Sequence, residues 1–162
     1  MPDELVLPIA EFHGDYDFLS NFFRESFEWR GHIWQTSEHA YQATKSTTDE
    51  DLEYVKSANG PAEAKNRGRE IKCREDWEKV KEAVMLDILR VKFAPSSWLS
   101  GRLLATGDAE LIEGNSWHDK TWGVCNCSRC GGKGKNLLGK TLMKIRAELK
   151  EQQDGNGQSR KD

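Results

Sequence analysis

The chain is organised around residues 114–139, which read GNSWHDKTWGVCNCSRCGGKGKNLLG. Tryptophans, an acid, a histidine, asparagines and several glycines stand together here, between an apolar strand-like run and an amphipathic final segment. Aromatic faces, hydrogen-bonding side chains and glycines that let the backbone approach closely are what a pocket for a flat, polar ligand needs. The alternative interpretation is a well-anchored surface loop whose tryptophans cap the core.

The length and amino-acid composition indicate a globular protein with a charged surface. At 162 residues the chain is long enough for one substantial core, so we predict a single domain over residues 1–150 and a disordered polar tail over 151–162. No apolar run approaches membrane-spanning length, and the start MPDE lacks the basic residues of a signal peptide. We therefore expect a cytoplasmic protein without a membrane partner. A formal net charge of -3 gives no overall attraction to nucleic acid.

The periodicity of apolar residues predicts an α+β fold, a mostly α-helical single domain with a small antiparallel β-sheet. Strands are expected over residues 6–12 and 110–113, and a β-hairpin over 27–34 around Arg30-Gly31. The longest helical pattern covers residues 74–93. Shorter helices are predicted over residues 37–45, 49–58, 62–70, 96–106 and 137–149.

The predicted helix over residues 37–45 carries a polar stripe. Thr36 or Ser37 is a good N-cap, and Glu38 would lie in the first turn, where a carboxylate interacts well with the helix dipole. Glu38 is followed at helical spacing by Tyr41, Gln42 and Lys45, so one face would carry an acid, a phenol, an amide and an amine. This face either lines a pocket or is solvated.

Two further positions are ambiguous from the residues alone. Asn21 lies among aromatic residues, which would hold it rigidly with its amide able to bind a ligand, or it caps a turn. Trp77 at the start of the longest helix belongs either to the core or to the edge of a cleft.

The cysteines of the central stretch have some features of a metal site. Cys125, Cys127 and Cys130 supply soft donors, and His118 or Cys73 could be a fourth ligand. The spacing is tighter than that of paired Cys-x-x-Cys zinc sites, and no second Cys pair is present. The sequence thus favours free thiols, and we predict neither a metal nor a cofactor.

The remaining inventory fits glycosidic bond cleavage. No G-x-S-x-G elbow, P-loop or dinucleotide fingerprint is present. A carboxylate can stabilise an oxocarbenium-like transition state or activate water at an anomeric carbon, and tryptophan can stack on a base or sugar.

Several motifs in the same order resemble the NADAR (YbiA-like) family. They are FLSNF at 18–22, WQTSEHAYQATK at 34–45, Gly68-Arg69, Asp76-Trp77, Trp122-Gly123 and GKNLLGKTLMKIR at 134–146. The resemblance implies the YbiA-like fold and N-glycosidase activity. The implied substrates are phosphorylated early intermediates of riboflavin biosynthesis, or ADP-ribose attached to nucleic-acid bases.

The resemblance also implies roles for individual residues. Its catalytic set maps onto Glu38, Lys45, Trp77, Asp119 and Trp122. Its substrate-binding set maps onto Phe18, Asn21, Tyr41, Gln42, Arg69, Gly123, Lys135 and Asn136. Glu38 would stabilise positive charge or position water, Tyr41 and Trp122 would stack on the ligand, and Arg69 and Lys135 would meet phosphate.

One departure from the family pattern concerns the central stretch. Many members read Trp-Gly-Asp-Gly, whereas here Val124 and the cysteine-bearing insert follow Trp122-Gly123. The competing hypothesis is a non-catalytic module that binds ADP-ribose or nucleic acid and whose cysteine loop holds zinc. The sequence leaves the oligomeric state open.

Overall fold

The structure is a computed structural model that describes residues 5–158. Within this range the α-helices are Ser37–Ala43 (α1), Asp49–Lys56 (α2), Pro61–Glu70 (α3), Trp77–Lys92 (α4), Trp98–Ala105 (α5) and Leu137–Gln158 (α6). The strands are Phe27–Trp29 (β1), His32–Trp34 (β2), Gly114–Asn115 (β3) and Val124–Cys125 (β4). The predicted α+β class, mostly helical with a small antiparallel sheet, is confirmed.

Two compact units make up the structure. One, the middle unit, is Asn21–Ala94, and the other, the terminal unit, comprises the residues up to Ser20 together with those from Pro95 onward. The single domain over residues 1–150 stays a prediction. Each unit has its own helices and one pair of short strands.

The middle unit begins with the predicted β-hairpin. Strands β1 and β2 are antiparallel, with Phe27 opposite Trp34 and Trp29 opposite His32. Arg30 and Gly31 have φ angles of 52° and 78°, so both central residues of the turn adopt the left-handed conformation that tight hairpins need. The Trp34 indole N–H donates to the Trp29 backbone carbonyl at 3.0 Å, and the Trp29 indole N–H donates to the Asp87 carboxylate at 3.1 Å, so each buried ring is held by its own bond.

Helix α1 lies at the centre of this unit. Thr36 is its N-cap, because its hydroxyl accepts the N–H of His39 at 3.2 Å. All residues of α1 are buried, and the helix packs against α2, α3 and α4. Ala40 and Ala43 are fully buried. Their small side chains let the neighbouring helices approach closely.

Helix α4 contributes five buried apolar side chains to the core of the middle unit, those of Trp77, Val84, Met85, Ile88 and Leu89. It begins at Trp77, three residues after the predicted start at Arg74. The Arg74 side chain instead pairs with the Asp76 carboxylate at 2.6 Å, and the Trp77 N–H donates to the Arg74 carbonyl in a tight turn. Ile88 and Leu89 are fully buried on its inner face.

The terminal unit contains a 3₁₀ helix over Gly14–Leu19, helices α5 and α6, and the parallel strands β3 and β4. The predicted strands over residues 6–12 and 110–113 are wrong in extent. Only Ile9 and Leu111 form a bridge, and Val6 and Leu7 are exposed, so an apolar run alone did not create a strand. Backbone pairing resumes at Gly114, where a Cβ atom would lie 2.1 Å from the Ala10 carbonyl oxygen.

Helix α6 continues to Gln158, beyond Leu149, the last residue of the predicted apolar face. Residues 151–157 of this helix are exposed. The structure thus extends the helix into the segment for which composition predicted disorder, and the rest of that segment lies outside the described residues. Among the helices between residues 5 and 158, none combines the length and apolar character that crossing a membrane requires.

His39 gives the middle unit a pH-dependent stability. Its ring is fully buried, with Nδ1 2.7 Å from the Thr36 hydroxyl and Nε2 3.0 Å from the Ala58 carbonyl. These partners suit a neutral ring with the proton on Nε2. Burial lowers the pKa of His39, partly opposed by the bond to Ala58. Since the unfolded state then binds more protons below the usual histidine pKa of about 6.5, stability is full above that pH and falls as the pH drops through it.

We therefore expect His39→Gln to flatten the dependence of the melting temperature on pH. The glutamine amide can still donate to the Ala58 carbonyl but does not titrate. At pH 7.5 the variant should therefore be less stable than the wild type by about 1–2 kcal/mol of unfolding free energy. On acidification it should lose less stability than the wild type does. Thermal melts between pH 7.5 and 5.5 measure this, with exposed His13→Gln as the control. Equal acid sensitivity in wild type and His39→Gln would contradict it.

Candidate functional site

Glu38 is the buried acid of the middle unit. It is the second residue of α1, and only 7% of its surface is exposed. Its backbone N–H donates to the Asn21 carbonyl at 3.1 Å, and its Oε1 accepts from Gln42 Nε2 at 2.8 Å. The positive end of the helix dipole favours the ionised carboxylate at this position. Glu38 is thus a fixed group in a largely water-free environment.

Asn21 holds the start of α1. Its Oδ1 accepts from the Ser37 hydroxyl at 2.9 Å, and its Nδ2 lies 3.7 Å from the Met85 sulfur. Both amide atoms of Asn21 thus have protein partners in the structure. The motif position reflects the anchoring of Glu38, and a substrate contact by Asn21 stays a prediction.

Gln42 positions Glu38 and is itself positioned by a glycine. The Gln42 side chain is buried, and its Oε1 has no hydrogen-bond partner among the described residues. A Cβ atom on Gly68 of α3 would lie 2.1 Å from that oxygen. Gly68 therefore provides the space that the amide occupies. An unsatisfied buried amide oxygen is uncommon in folded proteins.

Lys45 lies against two aromatic rings. The Tyr41 and Trp77 rings are buried, with centroids 5.0 Å apart and planes tilted by 55°. Lys45 Nζ is 6.0 Å from the Tyr41 centroid and 5.8 Å from the Trp77 centroid. The structure thus places Trp77 in the core and beside the lysine at once, so the two interpretations of this residue are compatible.

The surroundings of Lys45 increase the neutral fraction of its amine relative to that of an exposed lysine. Burial lowers the pKa of Lys45 below its usual value, Cys73 and Glu38 raise it in part, and Arg69 lowers it. A neutral amine is the nucleophilic form of lysine. Arg69 itself is exposed on α3. The predicted polar stripe is not a solvated face. Its acid, phenol and amide lie on α1 and are buried, and Lys45, two residues beyond the end of α1, is half-buried.

In the terminal unit, Asp119 organises its own loop. Its Oδ1 accepts the backbone N–H groups of Thr121 at 3.1 Å and Trp122 at 3.0 Å. Asn115 bonds to both backbone groups of Asp119, at 2.8 and 3.1 Å. Asp119 therefore shapes the turn that carries Trp122. Its assignment to catalysis stays a prediction.

Other residues predicted to bind substrate have backbone roles here. Asn136 is buried, and its amide accepts from the Glu113 N–H at 3.0 Å and donates to the Leu111 carbonyl at 2.9 Å. Gly123 allows the chain to pass close to Glu113, because a Cβ would lie 2.2 Å from its carbonyl oxygen.

Phe18 and Lys135 lie in very different environments within the same unit. Phe18 is buried under the Arg102 guanidinium, which lies 4.4 Å from the centre of its ring. Lys135 is exposed. Their predicted substrate contacts, like those of Gly123 and Asn136, remain sequence-based predictions.

The structure gathers the three cysteines of the insert around His118. Nδ1 of His118 is 3.3 Å from the Cys130 sulfur, 3.5 Å from that of Cys127 and 3.8 Å from that of Cys125. From the sequence we expected His118 or Cys73 as a possible fourth ligand, and the cysteine spacing favoured free thiols over a closed metal site. In the structure the loop folds back on itself and brings His118 together with the three cysteines. The expectation of free thiols stays a prediction.

Some functional positions carried no signal by themselves. The sequence did not indicate that Ser37 would anchor Asn21 or that Gly68 would make room for Gln42. Gly68 could have been found from its place in a shared motif. The need for glycine at this position, however, comes from a contact between two helices, which the sequence does not show.

Comparison with known proteins agrees with this structure in sequence and in fold. The sequence profile of the NADAR domain matches residues 10–150. The chain is 39% identical over 137 residues to N-glycosidase YbiA of Escherichia coli K12, which covers 83% of this chain and 82% of that protein. It is 40% identical over 139 residues to a riboflavin biosynthesis protein of Vibrio vulnificus, covering 85% of this chain and 36% of that protein.

The NMR structure of Escherichia coli YbiA is similar to this fold, with a TM-score of 0.76 and 33% identity over 94% of this chain and 95% of that one. The profile match takes in nearly all of the described residues. The sequence and the fold therefore lead to one conclusion, that the chain belongs to the NADAR family.

Proposed function

We propose that this protein is an N-glycosidase that hydrolyses the bond between a ribosyl anomeric carbon and a nitrogen, with Glu38 as the essential acidic group. The observation that carries the proposal is the buried Glu38 carboxylate, held by Gln42 of the same helix, with Lys45 two residues beyond the end of that helix. Relatives named N-glycosidases support the reaction class.

The chemistry needs a fixed negative charge near the anomeric carbon. As the C–N bond breaks, its electron pair leaves with the nitrogen and positive charge develops on the sugar ring. The Glu38 carboxylate stabilises that charge or takes a proton from the attacking water. Water then forms the new C–O bond, and the nitrogen gains a proton. Because Glu38 is buried, its interaction with the transition state is stronger than in water.

Lys45 offers a covalent route to the same products. If the ribose opens to an imine at the anomeric carbon, the neutral Lys45 amine can add to that carbon. The substrate nitrogen then leaves as an amine, a Lys45 imine remains, and water hydrolyses it. The lowered pKa of Lys45 supports this route because it increases the neutral fraction.

The neighbouring groups suit a phosphorylated ribosyl ligand. Tyr41 and Trp77 provide aromatic surface next to Lys45, and Arg69 provides a guanidinium for phosphate. The partially aligned Vibrio relative is named for riboflavin biosynthesis, which supports a small phosphorylated intermediate. ADP-ribosylated bases are the second substrate class, as the family resemblance implies.

Product analysis tests the reaction and selects the substrate class. The protein is incubated separately with a phosphoribosyl-amine intermediate of riboflavin synthesis and with an ADP-ribosylated oligonucleotide, and the products are identified by mass spectrometry. The proposal expects release of a ribose-bearing product and the matching free nitrogen compound from one of them. Binding of either ligand without turnover would favour the non-catalytic module instead.

Glu38→Gln should reduce turnover by about 100-fold or more while the fold is kept, since the amide preserves size but removes the charge that stabilises the transition state. Initial rates and circular dichroism of wild type and variant measure the two properties. Activity close to that of the wild type in a folded variant would exclude Glu38 as the essential group.

Borohydride added during turnover should trap a covalent adduct if Lys45 forms an imine. Intact-protein mass spectrometry should show the adduct in wild type and in a Lys72→Ala control, whose lysine is exposed, but not in Lys45→Arg. Trapping should rise with pH as Lys45 loses its proton and level off at a lower pH than for an ordinary lysine, because burial lowers its pKa. If the enzyme is active but its intact mass never increases, the covalent route is excluded and direct attack by water remains.

Gly68→Ala should disturb Glu38 from a distance. The added methyl group would displace the Gln42 amide, so we expect about a 10-fold or greater loss of turnover. The matched control is Gly101→Ala on α5, where nothing lies within 4 Å of the new methyl group and alanine should stabilise the helix by about 0.5–1 kcal/mol. Equal activity in the two variants would show that the placement of Gln42 does not matter.

A further inference from the structure

We propose that His118, Cys125, Cys127 and Cys130 form a structural zinc site in the terminal unit. The potential ligand atoms, one imidazole nitrogen and three sulfurs, all lie within 4.8 Å of one another. This inference is independent of the proposed N-glycosidase activity, because none of the four residues belongs to the reacting groups of the middle unit.

The distances are those of a tetrahedral zinc site. With Zn–S of about 2.3 Å and Zn–N of about 2.0–2.1 Å, tetrahedral angles place a sulfur and a nitrogen about 3.5–3.6 Å apart. The observed separations of His118 Nδ1 from the three sulfurs are 3.3, 3.5 and 3.8 Å. The three nitrogen–sulfur separations therefore already match those of a tetrahedral site.

Hydrogen bonding between thiols and imidazole does not account for this arrangement. The Nδ1 atom has one site in the plane of the ring, so it can accept one S–H bond or donate one N–H bond. Three sulfurs nevertheless converge on it. A metal ion bonded to all four atoms explains the convergence, since each ligand then uses its own lone pair.

The backbone holds the ligands in place. The Cys130 N–H points at the Cys127 sulfur at 3.4 Å, and the N–H groups of Gly131 and Gly132 donate to the Cys127 and Cys125 carbonyls, each at 2.9 Å. Gly131 and Gly132 have φ of 62° and 80°, which suits glycine. An N–H donor beside a sulfur favours the thiolate that a metal requires.

His118 also adopts an unusual backbone conformation. Its φ is 69°, a left-handed value that costs a non-glycine residue energy. In this conformation the ring lies against the sulfurs. Strain of this kind persists where surrounding structure compensates for it, and a metal bond to Nδ1 would do so.

The donor set selects zinc and a structural role. Thiolates and imidazole bind zinc well and are poor ligands for magnesium or calcium. Binding releases the three thiol protons, and four protein ligands close the tetrahedron, so no position is left for substrate or water. His118 and Cys125 lie on either side of residues 119–124, so the ion would fix both ends of the segment that carries Asp119 and Trp122.

Metal content is the first test. Protein purified with a reductant and without chelator should contain one equivalent of zinc per chain by mass spectrometry of the metal. Cys127→Ser and His118→Ala should lose it, whereas Cys73→Ser, which removes an exposed cysteine outside the group, should keep it. Folded wild-type protein without zinc after growth in zinc-supplemented medium would overturn the proposal, and so would zinc retained in both ligand variants.

Cobalt titration tests the site without any variant. Co²⁺ added to metal-depleted, reduced wild-type protein should give the intense visible absorption of a four-coordinate thiolate site, saturating at one equivalent, and zinc should abolish it. Removing the metal should lower the melting temperature by about 5 °C or more. Absence of the cobalt bands, or octahedral bands alone, would overturn the proposal, and N-glycosidase assays have no part in this decision.

Discussion

The complete burial of α1 is the constraint on which the middle unit depends. A helix of this kind has no solvated side, so every polar side chain from Ser37 to Ala43 needs a protein partner or a ligand. Glu38 is supported by Gln42, Ser37 by Asn21, and His39 by Thr36 and Ala58. The acid is consequently positioned by the packing of the core, and its orientation does not depend on a flexible loop.

The same burial explains the chemistry we propose. A carboxylate with little water around it interacts strongly with charge that appears in a transition state. A lysine at the edge of the same environment loses part of its preference for the charged form. One packing arrangement therefore supports both the acid and the nucleophile.

In the terminal unit, residues at positions matched to the family's functional sites hold the backbone of a loop through hydrogen bonds. Asp119 and Asn136 match site positions that the NADAR resemblance implies, yet their side chains bond to backbone groups of Trp122, Leu111 and other loop residues. The zinc site would act on the same loop from outside, through His118 and Cys125. Geometry is needed to separate residues that shape a loop from residues that meet a ligand.

The sequence by itself determined the α+β class, the hairpin at Arg30-Gly31, the start of α1 at Thr36 or Ser37 and the family, because these depend on local turn chemistry, periodicity and ordered motifs. It overestimated the strand around Ile9, since a strand needs a partner that periodicity does not supply. Tertiary structure alone decided that the polar stripe of α1 is buried, that Gly68 makes room for Gln42 and that His118 meets three cysteines. Those contacts join residues that only folding brings together, so spacing along the chain cannot reveal them.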